Sequence, residues 1–161
     1  PLKDGKASMF EGGFRVPCIM WGAMVKPGYI TDMASTLDLL PTFCEIAGIP
    51  LPSDRHYDGI SLLNVLKDKS TCKRDMFYFY RGSELYAIRK GKYKAHFSYR
   101  PAYGTTDKII YDKPVLYDLG TDPGELYNIA EEHPDIVQEL TMLANAHKAS
   151  LKIAKSIFDQ K

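Results

Sequence analysis

The side chains with the most chemical reach in this chain sit near its start. Lys6 lies in a loop with Gly5, Gly12 and Gly13, and backbone without Cβ atoms lets a ligand come close to such a loop. By residue type alone Lys6 is either an exposed solubilising lysine or a contact for an anion. Glu11 and Arg15, four apart beside Gly12-Gly13, have the types of an acid–base pair. Their spacing fits better a turn anchored by an ion pair or by backbone hydrogen bonds. His96 falls on the polar face of an alternating stretch, where a histidine is more often a surface or satisfied core residue than a functional one. Phe77-Tyr78-Phe79-Tyr80 could stack on a sugar, although its alternation makes one face sheet core. Glu131-Glu132-His133 resembles a metal cluster only in composition and reads as a polar helix start, where acids suit the helix dipole. Cys18, Cys44 and Cys72 are odd in number and irregularly spaced, so they form neither a disulfide framework nor a zinc site. Cys18 and Cys44 lie in apolar patterns and are expected as small buried hydrophobes.

The elements that must position these residues follow from pattern. The composition, 45% hydrophobic and 25% charged, is that of an ordinary globular chain. A net charge of +1 with no Lys/Arg block excludes a nucleic-acid or anionic-membrane partner, and no apolar run approaches the ~18 residues of a membrane span. Pro1-Leu2-Lys3-Asp4-Gly5-Lys6 reads as the middle of a loop, a cut end rather than a signal peptide or native start. Phe14–Trp21 is strand-like, with Pro17 arguing for an edge position or a bulge. Asp38 is expected to cap a helix from Leu39 to Ala47, with Pro41 in its first turn, and Ser61 to cap a short helix carrying Leu62, Leu63, Val65 and Leu66. From Met76 the period becomes two: Met76–Arg81, Leu85–Lys90 and Lys92–Tyr99 read as strands, with Val115–Leu119 as a fourth. Asp122-Pro123-Gly124 is a tight turn. A long helix from Pro134 carries Ile136, Val137, Leu140, Leu143, Ala144, His147, Leu151 and Ala154 as one apolar stripe.

Gly5-Lys6-Ala7-Ser8-Met9-Phe10-Glu11-Gly12-Gly13-Phe14-Arg15-Val16-Pro17 resembles the sulfatase segment G-K-x-x-x-[aromatic]-E-G-G-x-R-V-P. Four further stretches agree in the family's order. Thr36–Thr42 with Ala47-Gly48-Ile49-Pro50 looks like its D-L-x-P-T helix, and Asp58–Leu63 like its D-G-x-S-L-L element. Gly91-Lys92-Tyr93-Lys94-Ala95-His96-Phe97 is similar to a strand of animal-type arylsulfatases. Leu116-Tyr117-Asp118-Leu119 with Asp122-Pro123-Gly124-Glu125 and Asn128 looks like the C-terminal L-Y-D-L…D-P-x-E…N signature. The chain thus resembles the C-terminal portion of a type I sulfatase, of the arylsulfatase A or N-acetylgalactosamine-6-sulfatase kind.

The resemblance implies an α+β chain: the tail of an alkaline-phosphatase-like α/β domain over residues 1–50, then over 51–161 a roughly four-stranded antiparallel sheet packed by a long C-terminal helix. It implies hydrolysis of the sulfate ester of a sulfated sugar or aryl sulfate by a formylglycine beside calcium, with a lean toward galactose or N-acetylgalactosamine sulfates. No C/S-x-P-x-R motif occurs here, so nucleophile and calcium ligands are expected from an N-terminal part of the same protein, and this chain alone is expected to be inactive. Lys6 matches the lysine that contacts the sulfate; His96, Arg81 and Tyr103 are expected near the pocket mouth as substrate contacts. Export to periplasm, lysosome or extracellular space is expected from the family. Alternatives are a non-catalytic carbohydrate-binding or interaction module, or a fragment of a related phosphodiesterase or phosphonate hydrolase. With sheet neighbours outside the chain, Val16, Ile19, Trp21, Leu39 and Phe43 are expected at exposed apolar surface, open to a homodimer contact.

Overall fold

The computed structural model describes residues 1–68, 70–101 and 107–151. They form two compact units, one of Pro1–Val16 with the chain from Met76 onward and one of Pro17–Asp75. Within the smaller unit, hydrogen bonds from Ile60 and Leu62 to Asp38 and Thr42 join the segments on either side of residue 50. The single turn α1 (Glu11–Phe14) belongs to the larger unit.

In the smaller unit a 3₁₀ turn, Thr36–Asp38, runs into α2 (Leu39–Ala47). Ser35 Oγ accepts the Leu37 N–H at 3.3 Å and Asp38 Oδ2 accepts the Ser35 N–H at 2.8 Å, a reciprocal capping box. Asp38 was expected as the cap itself; it serves instead as the acid of the box, one turn earlier. Its other oxygen is buried, accepting the Ile60 N–H at 2.9 Å and pairing with Arg74. The Thr42 hydroxyl donates to the Asp38 carbonyl at 2.6 Å and accepts the Leu62 N–H at 2.9 Å. A Cβ on Gly59 would stand 2.0 Å from the Leu37 carbonyl oxygen, so only glycine permits this approach. The D-L-x-P-T and D-G-x-S-L-L stretches are therefore two halves of one joint. As expected, Ser61 Oγ accepts the Leu63 N–H at 3.2 Å at the start of α3 (Leu63–Asp68). Leu62, Val65, Leu66 and Cys72 form the core here, with Met20, Val25 and Ile60 against it.

Three expectations are corrected in this part of the chain. Phe14–Trp21 is not a strand: α1 ends at Phe14 and no strand is assigned to residues 15–21. A strand needs a partner for its backbone groups; no described strand pairs with this stretch, and Pro17 has no N–H to offer. Cys18 is exposed and Cys44 half-buried, so the buried cysteine is Cys72. Leu39 is half-buried rather than exposed, whereas Ile19 at 94% and Trp21 at 97% stand almost wholly in solvent, with Val16 and Phe43 also exposed.

The larger unit is an antiparallel meander in the order β1 (Met76–Arg81), β2 (Glu84–Lys90), β3 (Tyr93–Tyr99), β4 (Ile109–Asp118). The fourth strand begins well before Val115. Pro114 breaks its pattern, and the ladder absorbs the break in a register shift between His96 and Ser98, beyond which Ser98 pairs with Ile110. Side-chain alternation sorts the sheet into two faces. The cross-strand row Tyr78, Ile88, Ala95, Leu116 lies under α4 (Pro134–Ser150), and Ile88, Ala95 and Leu116 form one core with Leu140 and Ala144. Ile136, Val137 and Leu143 complete that contact; Leu151, expected in the stripe, is exposed just past the end of the helix, and Ala154 lies outside the described residues. The opposite face carries the row Phe79, Ala87, His96, Val115 and, one pleat along, Arg89, Lys94, Tyr117. The N-terminal segment covers it.

Candidate functional site

Met9, Phe10 and Glu11 are consecutive and all buried; they seat the N-terminal segment on the second face of the sheet. Met9 packs with Phe79, Tyr86 and Ala87, and Phe10 with Tyr117 and Leu119. The Phe10 ring stacks on the His96 ring with centroids 4.5 Å apart. Around this plug the chain closes on itself. Gly12 N–H donates to the Lys3 carbonyl at 3.0 Å, Gly13 N–H to the Phe10 carbonyl at 2.9 Å, and Ser8 N–H to the Gly5 carbonyl at 3.0 Å. A Cβ on Gly12 would come within 2.3 Å of the Asp4 carbonyl oxygen, and one on Gly13 within 2.2 Å of that of Ser8. The glycines of the E-G-G motif are thus the floor on which the Lys6 turn rests. Asp4 at φ 61° and Ala7 at φ 74° flank Lys6 in left-handed backbone, a conformation that non-glycine residues hold only when their surroundings impose it. Lys6 itself is exposed at the tip of this closed loop.

Beneath the loop lies a buried charge cluster. Lys94 Nζ reaches Glu11 Oε1 at 2.9 Å and Glu125 Oε1 at 3.2 Å, and sits 4.2 Å from the centroid of the Phe79 ring. Arg89 Nη1 is 3.7 Å from the other Glu11 oxygen. Glu125, at φ 51° in the D-P-x-E turn, accepts the Glu11 backbone N–H at 2.6 Å through Oε2. Its Oε1 lies 2.8 Å from His96 Nε2, and its backbone carbonyl accepts from Lys3 Nζ at 2.9 Å. The two carboxylates face Lys94 and Arg89, with Lys3 on the Glu125 carbonyl, so the cluster already holds cations enough without a charge on His96. Burial pushes the His96 imidazole below its ordinary value of 6.5, against the pull of Glu125. Glu125 ends below the usual carboxylate range: burial would raise it, but the His96 hydrogen bond and the Lys94 charge outweigh that. A neutral His96 donating from Nε2 leaves Nδ1 as a bare acceptor, consistent with that atom being buried without a hydrogen-bond partner. Burial also holds the Tyr117 phenol up at about 12, so it stays protonated beside Lys3, whose Nζ is 5.3 Å from the Tyr117 ring centroid.

The site differs from the sequence reading at several residues. Glu11 does anchor a turn, but its ion-pair partners are Lys94 and Arg89; Arg15 is exposed and contributes its backbone N–H to the Glu11 carbonyl at 2.7 Å. The strand face bearing Lys94 and His96, read as polar and outward, is buried: both are 0% exposed. His96 therefore presents no open ring edge to a substrate in this structure and lies beside the carboxylate that orders the Lys6 loop. Arg81 Nη1 donates to the carbonyls of Arg100 at 3.4 Å and Pro101 at 3.3 Å; Tyr103 lies outside the described residues. Lys94 and Glu125 were not singled out by sequence. Their signals were a lysine two positions before His96 on one strand face, and an acid closing the D-P-x-E turn. The rest of that C-terminal signature is structural: Asp122 Oδ2 accepts the N–H groups of Leu126 at 2.7 Å and Tyr127 at 2.9 Å, and Asn128 Oδ1 accepts the Leu116 N–H at 2.9 Å. Among the described residues no group of three or more His, Cys, Asp and Glu side chains is placed to hold a metal ion. These described residues therefore do not fit calcium.

Residues 72–161 match the family model described as the C-terminal region of aryl-sulfatase. The chain belongs to the sulfatase family. It is 36% identical to human arylsulfatase A over 88% of its length and 32% identical to the arylsulfatase of Hemicentrotus pulcherrimus over 98%. It is 31% identical to the N-acetylgalactosamine-6-sulfatase of Sus scrofa over 94%. Two solved structures superimpose on 92% of it, each over 32% of its own chain. One is a Bacteroides thetaiotaomicron protein from work on glycosaminoglycan metabolism, at TM-score 0.75 and 33% identity; the other is the PsFucS1 sulfatase of Pseudoalteromonas sp., at 0.79 and 26%. This sulfatase chain spans about a third of the length of the curated relatives it matches. Its four-stranded sheet and terminal helix are those of the family's C-terminal region.

Proposed function

We propose that this chain is the C-terminal third of a sulfatase that hydrolyses the sulfate ester of a sulfated sugar or aryl sulfate, and that Lys6 is its contact with the sulfate group. The observation that carries the reading is the combination at Lys6: an exposed ammonium on a loop whose plug, Met9 to Glu11, is buried and whose floor, Gly12 and Gly13, is hydrogen-bonded. A solubilising lysine needs no such support. An ammonium that must meet a sulfuryl oxygen in one position does, because a charge stabilises the transition state only where the charge develops. When the S–O bond to the ester oxygen breaks, negative charge grows on that leaving oxygen. Lys6 neutralises the sulfuryl oxygens and lowers the energy of that charge.

The nucleophile and the metal would come from a preceding part of the same protein, which the 31–36% identical relatives, three times longer, also support. The exposed apolar side chains Ile19, Trp21 and Phe43 of the smaller unit are surface such a part would cover, a simpler occupant than a second copy of the chain. Arg81, which donates to the Arg100 and Pro101 carbonyls, is the substrate contact we assign to this chain after Lys6; Tyr103 follows by proximity in sequence. His96 is assigned to positioning.

The test is turnover of an aryl sulfate by the full-length protein. Lys6→Ala is expected to lose roughly 10²-fold or more in kcat/KM. Near wild-type turnover in that variant would overturn the assignment.

A further inference from the structure

We propose that Glu125 is a positioning residue for Lys6. It acts as a single buried clamp that holds both flanks of the lysine loop and so sets where the ammonium stands. The inference rests on the sulfate-contact reading of Lys6 given above.

The loop runs from Lys3 to Gly12, and its two ends are hydrogen-bonded to each other. Both ends are also tied to Glu125, more than a hundred residues away in sequence. Lys3, three residues before Lys6, donates to the Glu125 carbonyl; Glu11, five residues after it, donates its N–H to the Glu125 carboxylate. Those contacts use the backbone and the side chain of one residue whose left-handed φ fixes their relative direction. The Glu125 carboxylate is held in turn by His96 and Lys94 from β3. Lys94 closes the circuit by binding Glu11 Oε1 as well. The Lys6 turn is thereby referred to the centre of the sheet through charged hydrogen bonds of fixed direction.

Stability alone does not call for such an arrangement. A buried set of charges is weak evidence for stability, since apolar residues of similar volume often serve as well. Its distinguishing property is direction: a carboxylate accepting from Glu11, His96 and Lys94 tolerates little displacement of any of them. A loop that carries a lysine to a reacting group gains from this, because a misplacement of about 1 Å can cost roughly 10²-fold in rate.

The experiment is a double-mutant cycle on the full-length protein, with kcat and KM measured on 4-methylumbelliferyl sulfate for wild type, Lys6→Ala, Glu125→Gln and the double variant. Glu125→Gln keeps the size of the side chain and removes its charge. If Glu125 acts through Lys6, Glu125→Gln lowers kcat about tenfold or more in the wild-type background and less than about twofold once Lys6 is gone. The same fold-loss in both backgrounds would mean that Glu125 supports the protein independently of Lys6, and would overturn the proposal. A Glu125→Gln enzyme as active as wild type overturns it too. Wild-type turnover in Lys6→Ala is a distinct outcome: it removes the sulfate-contact reading and this inference with it. Should Glu125→Gln fail to fold, Lys3→Met, which deletes the tie to the Glu125 carbonyl together with the ammonium's contacts to the Phe10 and Tyr117 rings, runs the same cycle with the same deciding comparison.

Discussion

The two faces of the four-stranded sheet solve the same problem by opposite means. Toward α4 the sheet shows Ile88, Ala95 and Leu116, closed by Leu140 and Ala144, an apolar contact whose strength comes from area and fit. Toward the N-terminal loop it shows Lys94, His96 and Tyr117, closed by Phe10, Glu11 and Glu125. Both faces are dry, yet only one is apolar. Apolar packing resists separation but tolerates small sliding, whereas hydrogen-bonded charges lose energy steeply when any partner moves. The difference teaches that the helix side keeps the sheet folded and the loop side keeps one loop in place.

Removing Lys94 tests this contrast hardest. Lys94→Met preserves length and apolar volume while leaving the Glu11 and Glu125 carboxylates buried without their shared cation, beside Arg89 and His96. Breaking a buried charge set in this way is expected to cost about 4 kcal/mol, read from the denaturant midpoint of the full-length protein. A Lys94→Met protein as stable as wild type would show that the loop face is ordinary packing. Leu140→Ala, on the other face, is expected to cost about 3 kcal/mol while leaving kcat/KM of the folded enzyme near wild type. A large fall in kcat/KM there would erase the distinction between the faces.

How far the sequence discloses this arrangement depends on the range of the interaction. The α4 face was legible because period two on the strands and period 3.6 on the helix are local properties, and Ile88, Ala95, Leu140 and Ala144 fall where those periods place them. The loop face was not. Lys94 and His96 alternate with apolar residues as surface residues would, and only a partner 83 positions away from Lys94, at Glu11, turns their side inward. Lys6 was legible through its motif, and the motif's glycines acquire a physical reason only from carbonyl oxygens that fold back to meet them. Phe14–Trp21 misled because β-branched and aromatic residues report burial or pairing without saying which chain provides it.

The smallest expected effect concerns pH and isolates His96. The groups facing its ring are Glu125, which favours the protonated form, Lys94 and Lys3, which oppose it, and the Phe10 and Tyr117 rings around it. Burial dominates and lowers the imidazole below 6.5 in the folded protein. Above that value both folded and unfolded forms are neutral and stability is at its plateau. As pH falls below it, the unfolded chain takes up a proton that the folded site refuses, so stability drops, at a slope of up to about 1.4 kcal/mol per pH unit for one proton. The slope ends once pH passes the lowered folded value. Glu125, itself held low, adds a loss of the same sign only further into acid, where its carboxylate must be protonated. Denaturant midpoints between about pH 7.5 and about pH 5, the range in which histidine is the titrating side chain, should therefore fall for wild type and fall less for His96→Gln. Equal slopes would mean that His96 takes up its proton at the same pH folded and unfolded, so that burial does not hold it neutral. The loop face would then accept the added positive charge as readily as water does, despite Lys94 and Lys3 beside the ring.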